Sequence, residues 1–485
     1  MGNVNRAASV RETRKKVKMM LREHQRNVMA TMRGSLQSLN SSQRQSVLDV
    51  SIRSSEDEHS AFVTAAQMGC IDMLGMLLNI GVPVDTTDMG GWTALHAASD
   101  AGHIQAVELL LKHNAPHQVR TDHGSTPLHA ASARGHIDIV ALLLSEGAHM
   151  EAANDNGATP LFDAVEGGHL AVTELLLKHN ANIDHRKDGG WSALHKACEI
   201  GRTDIVSCLI SHGADVNASQ MDGITCLYSA AHFGHDGVVK VLLEHNVDVD
   251  AHNQDGVTPL HLAAADGSVS VIRLLMDHGA NVTLTTVEGD TPLMAAVNCE
   301  QEEAILELIK CGSSVNTVNE EIGWAPLHLA ASIGSETLAK LLLEQGADIN
   351  LLVTTGAGAP LHVAAGSGSE NIVRLLLEKG AKIDLTDDCG CSALHYAAQH
   401  GHVYVVEALL RAGANIDLQQ NEGATSLYLA TYFGQADVVE TLINFGANIG
   451  MSDMSGWTPL DVARQTMNWY LERLLEDTGQ SITFI

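Results

Sequence analysis

Residues 255–282 begin Asp255-Gly-Val-Thr-Pro-Leu-His-Leu-Ala-Ala-Ala-Asp-Gly267 and continue through Val271-Ile-Arg-Leu-Leu-Met276 to His278-Gly-Ala-Asn-Val282. The stretch holds a turn signal, a helix start, an apolar run, a Gly break, a second apolar helix and another Gly. Thr258 suits the N-cap, and Pro259 fits a first helical turn where no amide donor is wasted. Gly267 tolerates the positive φ that ends a short helix. One such unit cannot bury its own apolar face, so its neighbours must complete it.

The neighbours are present. Thr93-Ala-Leu-His96 recurs as Thr126-Pro-Leu-His129, Thr159-Pro-Leu-Phe162, Ser192-Ala-Leu-His195, Thr225-Cys-Leu-Tyr228 and Thr258-Pro-Leu-His261. It continues as Thr291-Pro-Leu-Met294, Ala325-Pro-Leu-His328, Ala359-Pro-Leu-His362, Ser392-Ala-Leu-His395, Thr425-Ser-Leu-Tyr428 and Thr458-Pro-Leu-Asp461. Starts lie 33 residues apart, except for two steps of 34 ending at Ala325 and Ala359. A weaker copy at Ser60-Ala-Phe-Val-Thr-Ala-Ala66 brings the number to thirteen. These motifs resemble the ankyrin repeat family over residues 57–475. The resemblance implies an all-α repeat solenoid of helix-turn-helix units with hairpin fingers, and partner binding along a concave face of fingers and first helices. Fold of this kind says little about function on its own.

Composition agrees with that architecture. Apolar residues make up 45% of the chain but aromatics only 4%, so the core must be Leu, Val, Ile and Ala. No apolar run reaches the 18 residues or so of a membrane span. The eight Cys are scattered and fit neither a disulfide framework nor paired zinc knuckles, which points to a reducing, cytoplasmic setting with the nucleus left open. Residues 1–55 carry eleven Lys/Arg against Glu12, Glu23 and Asp49, a balance of +8, so the chain's −29 leaves −37 for residues 56–485. That field repels nucleic acid and favours partners with basic segments.

Four regions follow. Residues 1–33 hold a basic amphipathic helix over 10–32, with Val17, Met20, Leu21, Val28 and Met32 at helical spacing among seven Lys/Arg. It suits an anionic membrane surface, a calmodulin-like groove or the chain's own repeats. Gly2 invites N-myristoylation, but Arg6 stands where Ser or Thr is wanted. Residues 34–56 are a polar linker, 57–475 the array, and 476–485 a tail. Repeats nine and ten start with Ala325 and Ala359 in place of a capping hydroxyl, and repeat eight, Val297-Asn-Cys-Glu-Gln-Glu-Glu303, lacks the usual Gly-His. Residues 286–360 are therefore expected to form a soft seam. The last repeat, with Asp461 for His and Met467 to Glu476 as its second helix, reads as a C-terminal cap.

Candidate partner-binding residues are those that depart from the repeat. Trp92, Trp191, Trp324 and Trp457 share one position after a hairpin Gly, where the resemblance places them on fingers. Phe233, Tyr432 and Phe433 stand where first helices end, near the concave face by the same resemblance. Acidic finger positions (Asp155, Asp222, Asp255, Glu288, Asp387, Asp388, Glu422) would meet Lys or Arg of a partner. Thr483 and Ile485 match the carboxyl-terminal pattern captured by PDZ domains. Asn217 and Asn350 resemble ankyrin asparagines that are hydroxylated. The 26 His are spread down a stack and do not converge, so they suggest inter-repeat bonds and no metal site. No catalytic or cofactor motif appears. The expected function is a non-enzymatic scaffold or adaptor. The alternatives are a peripheral membrane adaptor and a substrate-recruiting subunit of a ubiquitin ligase, although no SOCS-box-like module follows the array.

Overall fold

A computed structural model describes residues 62–79, 81–353 and 358–482. Two compact units divide at His149 and Met150. Each is a stack of helix pairs with hairpin fingers. Strand character among the described residues is limited to isolated bridges at finger bases, such as Thr87 with Thr93 and Gln419 with Thr425.

Repeat seven shows how the motif folds. Its first helix is Pro259–Asp266 and its second Val269–Asp277. The Thr258 hydroxyl accepts from the His261 amide at 3.4 Å, while the Thr258 amide donates to His261 Nδ1 at 3.2 Å. Histidine thus takes the place of the Glu or Gln of an ordinary capping box. Gly267 closes the helix at φ 76°. The second helix buries Val271, Ile272 and Leu275 on one face. Leu260, Ala263 and Ala264 are fully buried in the first, and small residues there let neighbouring first helices approach closely.

The two histidine sets tie the repeats in opposite directions. In most Leu-His motifs, though not at His195, the second ring nitrogen bonds the carbonyl just before the next repeat's N-cap. The pairs are His96 with Ser125 (3.0 Å), His261 with Asp290 (2.9 Å), His328 with Gly358 (3.2 Å), His362 with Cys391 (3.1 Å) and His395 with Ala424 (3.3 Å). Because Nδ1 accepts and Nε2 donates, each ring is the neutral Nε2–H tautomer. The histidines after the helix-ending glycines reach back instead: His136 Nε2 to Asp100 O at 2.9 Å, His235 to Glu199 O at 2.9 Å, His402 to Gly366 O at 3.0 Å.

The 34-residue steps leave helix register untouched. A normal finger closes from its anchor to the fourth residue on, as Asp387 N–H to Cys391 O at 3.0 Å. The two long fingers close one residue later, Asn319 N–H to Trp324 O at 2.9 Å and Val353 N–H to Gly358 O at 3.2 Å. Each extra residue is therefore taken up between the anchor and the closing residue, which leaves the helices in step.

Several regularities lapse between residues 283 and 360. Elsewhere in the second unit an Asx side chain accepts the amide of the next finger, as Asp250 from Asn281 (2.9 Å) and Asn350 from Lys382 (2.8 Å). At Thr283 this rung is missing, since the Thr283 hydroxyl turns to Asn281 Oδ1 at 2.8 Å. Glu300 adopts φ 58° where the other repeats, apart from Met467 in the last, have Gly, a conformation costing about 1–2 kcal/mol for a residue with a Cβ. Ala325 and Ala359 keep only half of the box, their amides donating to His328 and His362 Nδ1 at 3.3 and 2.9 Å. New ties partly compensate. Arg273 forks onto Glu307 at 2.8 and 2.9 Å, and Asn319 Nδ2 donates to Glu288 O at 2.8 Å and Asp290 Oδ1 at 2.7 Å.

The final helix runs Trp469–Ile482, well into the stretch read as a tail from residue 476. Buried Leu471 and Leu475 anchor it, and Arg464 bonds both Glu472 and Glu476. Among the described residues no helix is long and apolar enough to cross a membrane.

Candidate partner-binding surface

Each finger is closed by a short-range backbone bond, and where the anchor is Asp or Asn its side chain accepts two amides: Asp88 from Gly90 (2.8 Å) and Trp92 (2.9 Å), Asn253 from Asp255 (3.0 Å) and Val257 (2.9 Å), Asp453 from Ser455 (2.9 Å) and Trp457 (2.8 Å). Successive tips are laddered through backbone, as Gln254 N–H to Asp222 O at 3.0 Å and Val287 N–H to Asp255 O at 2.8 Å. Gly423 shows how close they come. At φ 85° a Cβ there would stand 2.8 Å from the Met454 amide nitrogen.

The finger tryptophans fall into two classes. Trp92, Trp191 and Trp324 are half-buried. The first two rings lean on the histidine of their own repeat, with centroids 5.9 Å (His96) and 6.4 Å (His195) apart. Trp457 has Asp461 where that histidine would be, and it is exposed. Three tryptophans are therefore partly covered, and one is more open.

Phe233 is exposed at the end of its helix, its ring stacked on His235 at 6.1 Å. Tyr432 and Phe433 are exposed together, edge to face at 5.2 Å. Tyr428, which replaces the motif histidine, donates to Asp453 Oδ2 on the next finger at 3.0 Å, so it does the stacking work of the residue it replaces.

The acidic fingers need one correction. Asp387 is buried: it anchors its own finger through the Cys389 and Cys391 amides and accepts the Tyr396 hydroxyl at 2.7 Å. It is not available to a partner's lysine, whereas Asp155, Asp222, Asp255, Glu288, Asp388 and Glu422 are exposed.

Burial sets the local titration. It holds His96 and His328 down at about 4, and His261, His362 and His395 below the ordinary imidazole range. Asp163, on a first helix beside Glu166, is pushed up to about 7, mainly by burial and with Lys187 opposing. Lys187 Nζ itself lies 4.5 Å over the Phe162 ring.

Asn217 and Asn350 are rungs of the finger ladder, accepting the Asp248 amide at 3.0 Å and the Lys382 amide at 2.8 Å. Thr483, Ile485 and the basic helix over 10–32 lie outside the described residues. No group of three or more His, Cys, Asp or Glu among the described residues converges on a metal position.

Sequence reasoning missed two sets of exposed side chains. Met89, Met221, Val287 and Met454 follow the anchor residue of their fingers and stand on the tips. Tyr404, Met467, Trp469 and Tyr470 are exposed where helices turn in the last repeats. Most of these were readable as apolar residues at positions where other copies are polar or Gly, but Trp469 stands where Ile104, Ile137, Leu170 and Val403 also do.

No curated protein matches the chain. A family model described as ankyrin repeats in three copies fits it in overlapping windows, from residues 28–122 through 217–286 to 394–484. With most of its length covered in this way, the chain belongs to the ankyrin repeat family, whose repeats form a protein–protein interaction module.

Proposed function

We propose that the protein is a non-enzymatic, cytoplasmic scaffold or adaptor that holds a protein partner along its fingers and first helices. The observation carrying this reading is where apolar side chains remain uncovered. They stand on finger tips (Met89, Met221, Val287, Met454), at a finger's closing residue (Trp457) and at helix ends (Phe233, Tyr432, Phe433), among exposed acids. Partly exposed Trp and Tyr are the usual anchors of protein interfaces. The acidic field then steers partners that carry basic segments.

Changing Trp92, Trp191 and Trp324 to Ala together tests the finger part. Capture of the partner set from lysate is expected to weaken by about tenfold. If partners and affinities stay the same, the three rings serve the stack alone.

The strongly basic balance of residues 1–55 supports a second reading, in which the segment over 10–32 seats the adaptor on anionic membrane. Failure of residues 1–55 to co-sediment with acidic vesicles removes it.

A further inference from the structure

Eight large aromatic side chains are exposed among the described residues; seven lie between Tyr404 and Tyr470, and five of these (Tyr404, Tyr432, Phe433, Trp469 and Tyr470) share one edge, whereas Phe445 follows the end of a second helix and Trp457 closes a finger. Their placement follows repeat register. Tyr404, Asp437 and Tyr470 are each the second residue of a second helix, in Val403–Arg411, Ala436–Asn444 and Trp469–Ile482. Tyr432 and Phe433 end the first helix of the middle repeat, and Met467 occupies the next turn. These residues line the edge where first helix turns into second. That edge is one helix length from the fingers, about 10–12 Å for seven or eight residues.

The edge is aromatic and acidic at once. Trp469 is 74% exposed, Tyr404 73% and Tyr432 55%. The only Lys or Arg between residues 383 and 482 are Arg411, Arg464 and Arg473. Each is held in an ion pair, with Glu407, with Glu472 and Glu476, and with Asp477. Asp437 and Glu440 on the same edge are exposed and form no ion pair among the described residues. Unpaired carboxylates beside open ring faces suit a guanidinium, which stacks on aromatic rings and bonds carboxylate in the same plane. A second copy of this edge would set acid against acid, and an anionic membrane would be repelled for the same reason.

We propose that the turn edge of the last three repeats, Tyr404 to Tyr470, docks an arginine-bearing segment of a partner protein. This shares with the scaffold reading the premise of a protein partner, but it uses an edge that the finger tryptophans do not reach. Neighbouring repeats stack about 10 Å apart. An extended chain covers that distance in about three residues at 3.3 Å each. Arginines at every third position therefore match the repeat register.

Fluorescence anisotropy of the full chain with a labelled peptide of four Arg-Ser-Gly repeats tests this. The Arg peptide is expected to bind about fivefold tighter than its Lys-Ser-Gly counterpart. Combining Tyr404→Ala, Trp469→Ala and Tyr470→Ala should weaken Arg-peptide binding about tenfold. Asp437→Asn, a surface change with no fold contact at stake, should weaken it about threefold and flatten its salt dependence. The finger triple variant should bind the peptide normally. The proposal is overturned if the Arg peptide does not bind, if it binds the aromatic variant like the wild type, or if Lys and Arg peptides bind alike. Co-sedimentation with phosphatidylserine vesicles that the aromatic variant loses would also overturn it, in favour of a membrane surface. Loss of partner capture by the finger variant alongside a failed peptide assay would leave the scaffold reading standing and only this edge refuted.

Discussion

Lowering the pH from 6.5 to 4 is expected to destabilise the array well before its carboxylates are neutralised. The motif histidines must stay neutral to accept at Nδ1 and donate at Nε2, and burial holds His96 and His328 down at about 4. Unfolded, each takes up its proton near 6.5. A folded value below the unfolded one means that the unfolded chain binds more protons between the two, so stability is complete above about 6.5 and is lost as pH falls towards 4. A shift from 6.5 to about 4 corresponds to about 3 kcal/mol per histidine. His261, His362 and His395 shift the same way. Asp163 opposes them: raised to about 7, its contribution is complete below about 4 and is lost as pH rises through 7. One carboxyl does not offset several imidazoles. Circular dichroism melts across this window should show the unfolding temperature falling steeply between pH 6.5 and 4. A flat profile there would mean that the rings are solvated.

The second large effect is expected where the repeat chemistry is thinnest. His328 is the sole side-chain partner of the Ala325 amide, and it also bonds the Gly358 carbonyl. Truncation to Ala strands both groups in a buried setting, at about 1–3 kcal/mol each. The same change at His261 removes similar bonds, but there the Thr258 hydroxyl still caps the helix through the His261 amide position. In a stack whose stability is a sum of local and nearest-neighbour terms, the loss at Ala325 should open its neighbours first. Native-state hydrogen exchange should show residues 286–360 exchanging faster than the flanking repeats in the wild type, and faster still in His328→Ala. The Arg273–Glu307 fork and the Asn319 ties make the 325–360 half the softer one. Uniform protection along the second unit would remove the seam.

These expectations show which parts of the molecule the sequence made legible. The 33-residue period, the N-cap hydroxyls and the positive-φ glycines are local requirements, repeated often enough to be read without coordinates. The direction of each histidine bond was not readable, because it depends on which carbonyl the next repeat brings within reach. The two 34-residue steps could be counted, but that the fingers and not the helices take them up is seen only from hairpin closure at Trp324 and Gly358. Trp92 and Trp191 looked alike with Trp457, and only the presence or absence of a histidine under the ring separates them. Asp387 looked like any other finger acid until Tyr396 was seen to cover it. Met467, Trp469 and Tyr470 were absorbed into the reading of an end cap, which hid their outward faces.

The account divides the chain into residues that stack it and residues that meet a partner. One comparison addresses both halves: Phe233→Ser, Tyr432→Ser and Phe433→Ser combined, measured for unfolding temperature and for quantitative capture of partners from lysate. These rings are exposed and make none of the histidine hydrogen bonds, although Phe233 stacks on His235, so the melting temperature and its pH profile should stay close to the wild type while capture falls by about tenfold. Unchanged capture together with a lowered melting temperature would contradict the account, because the departures from the repeat would then be serving the stack.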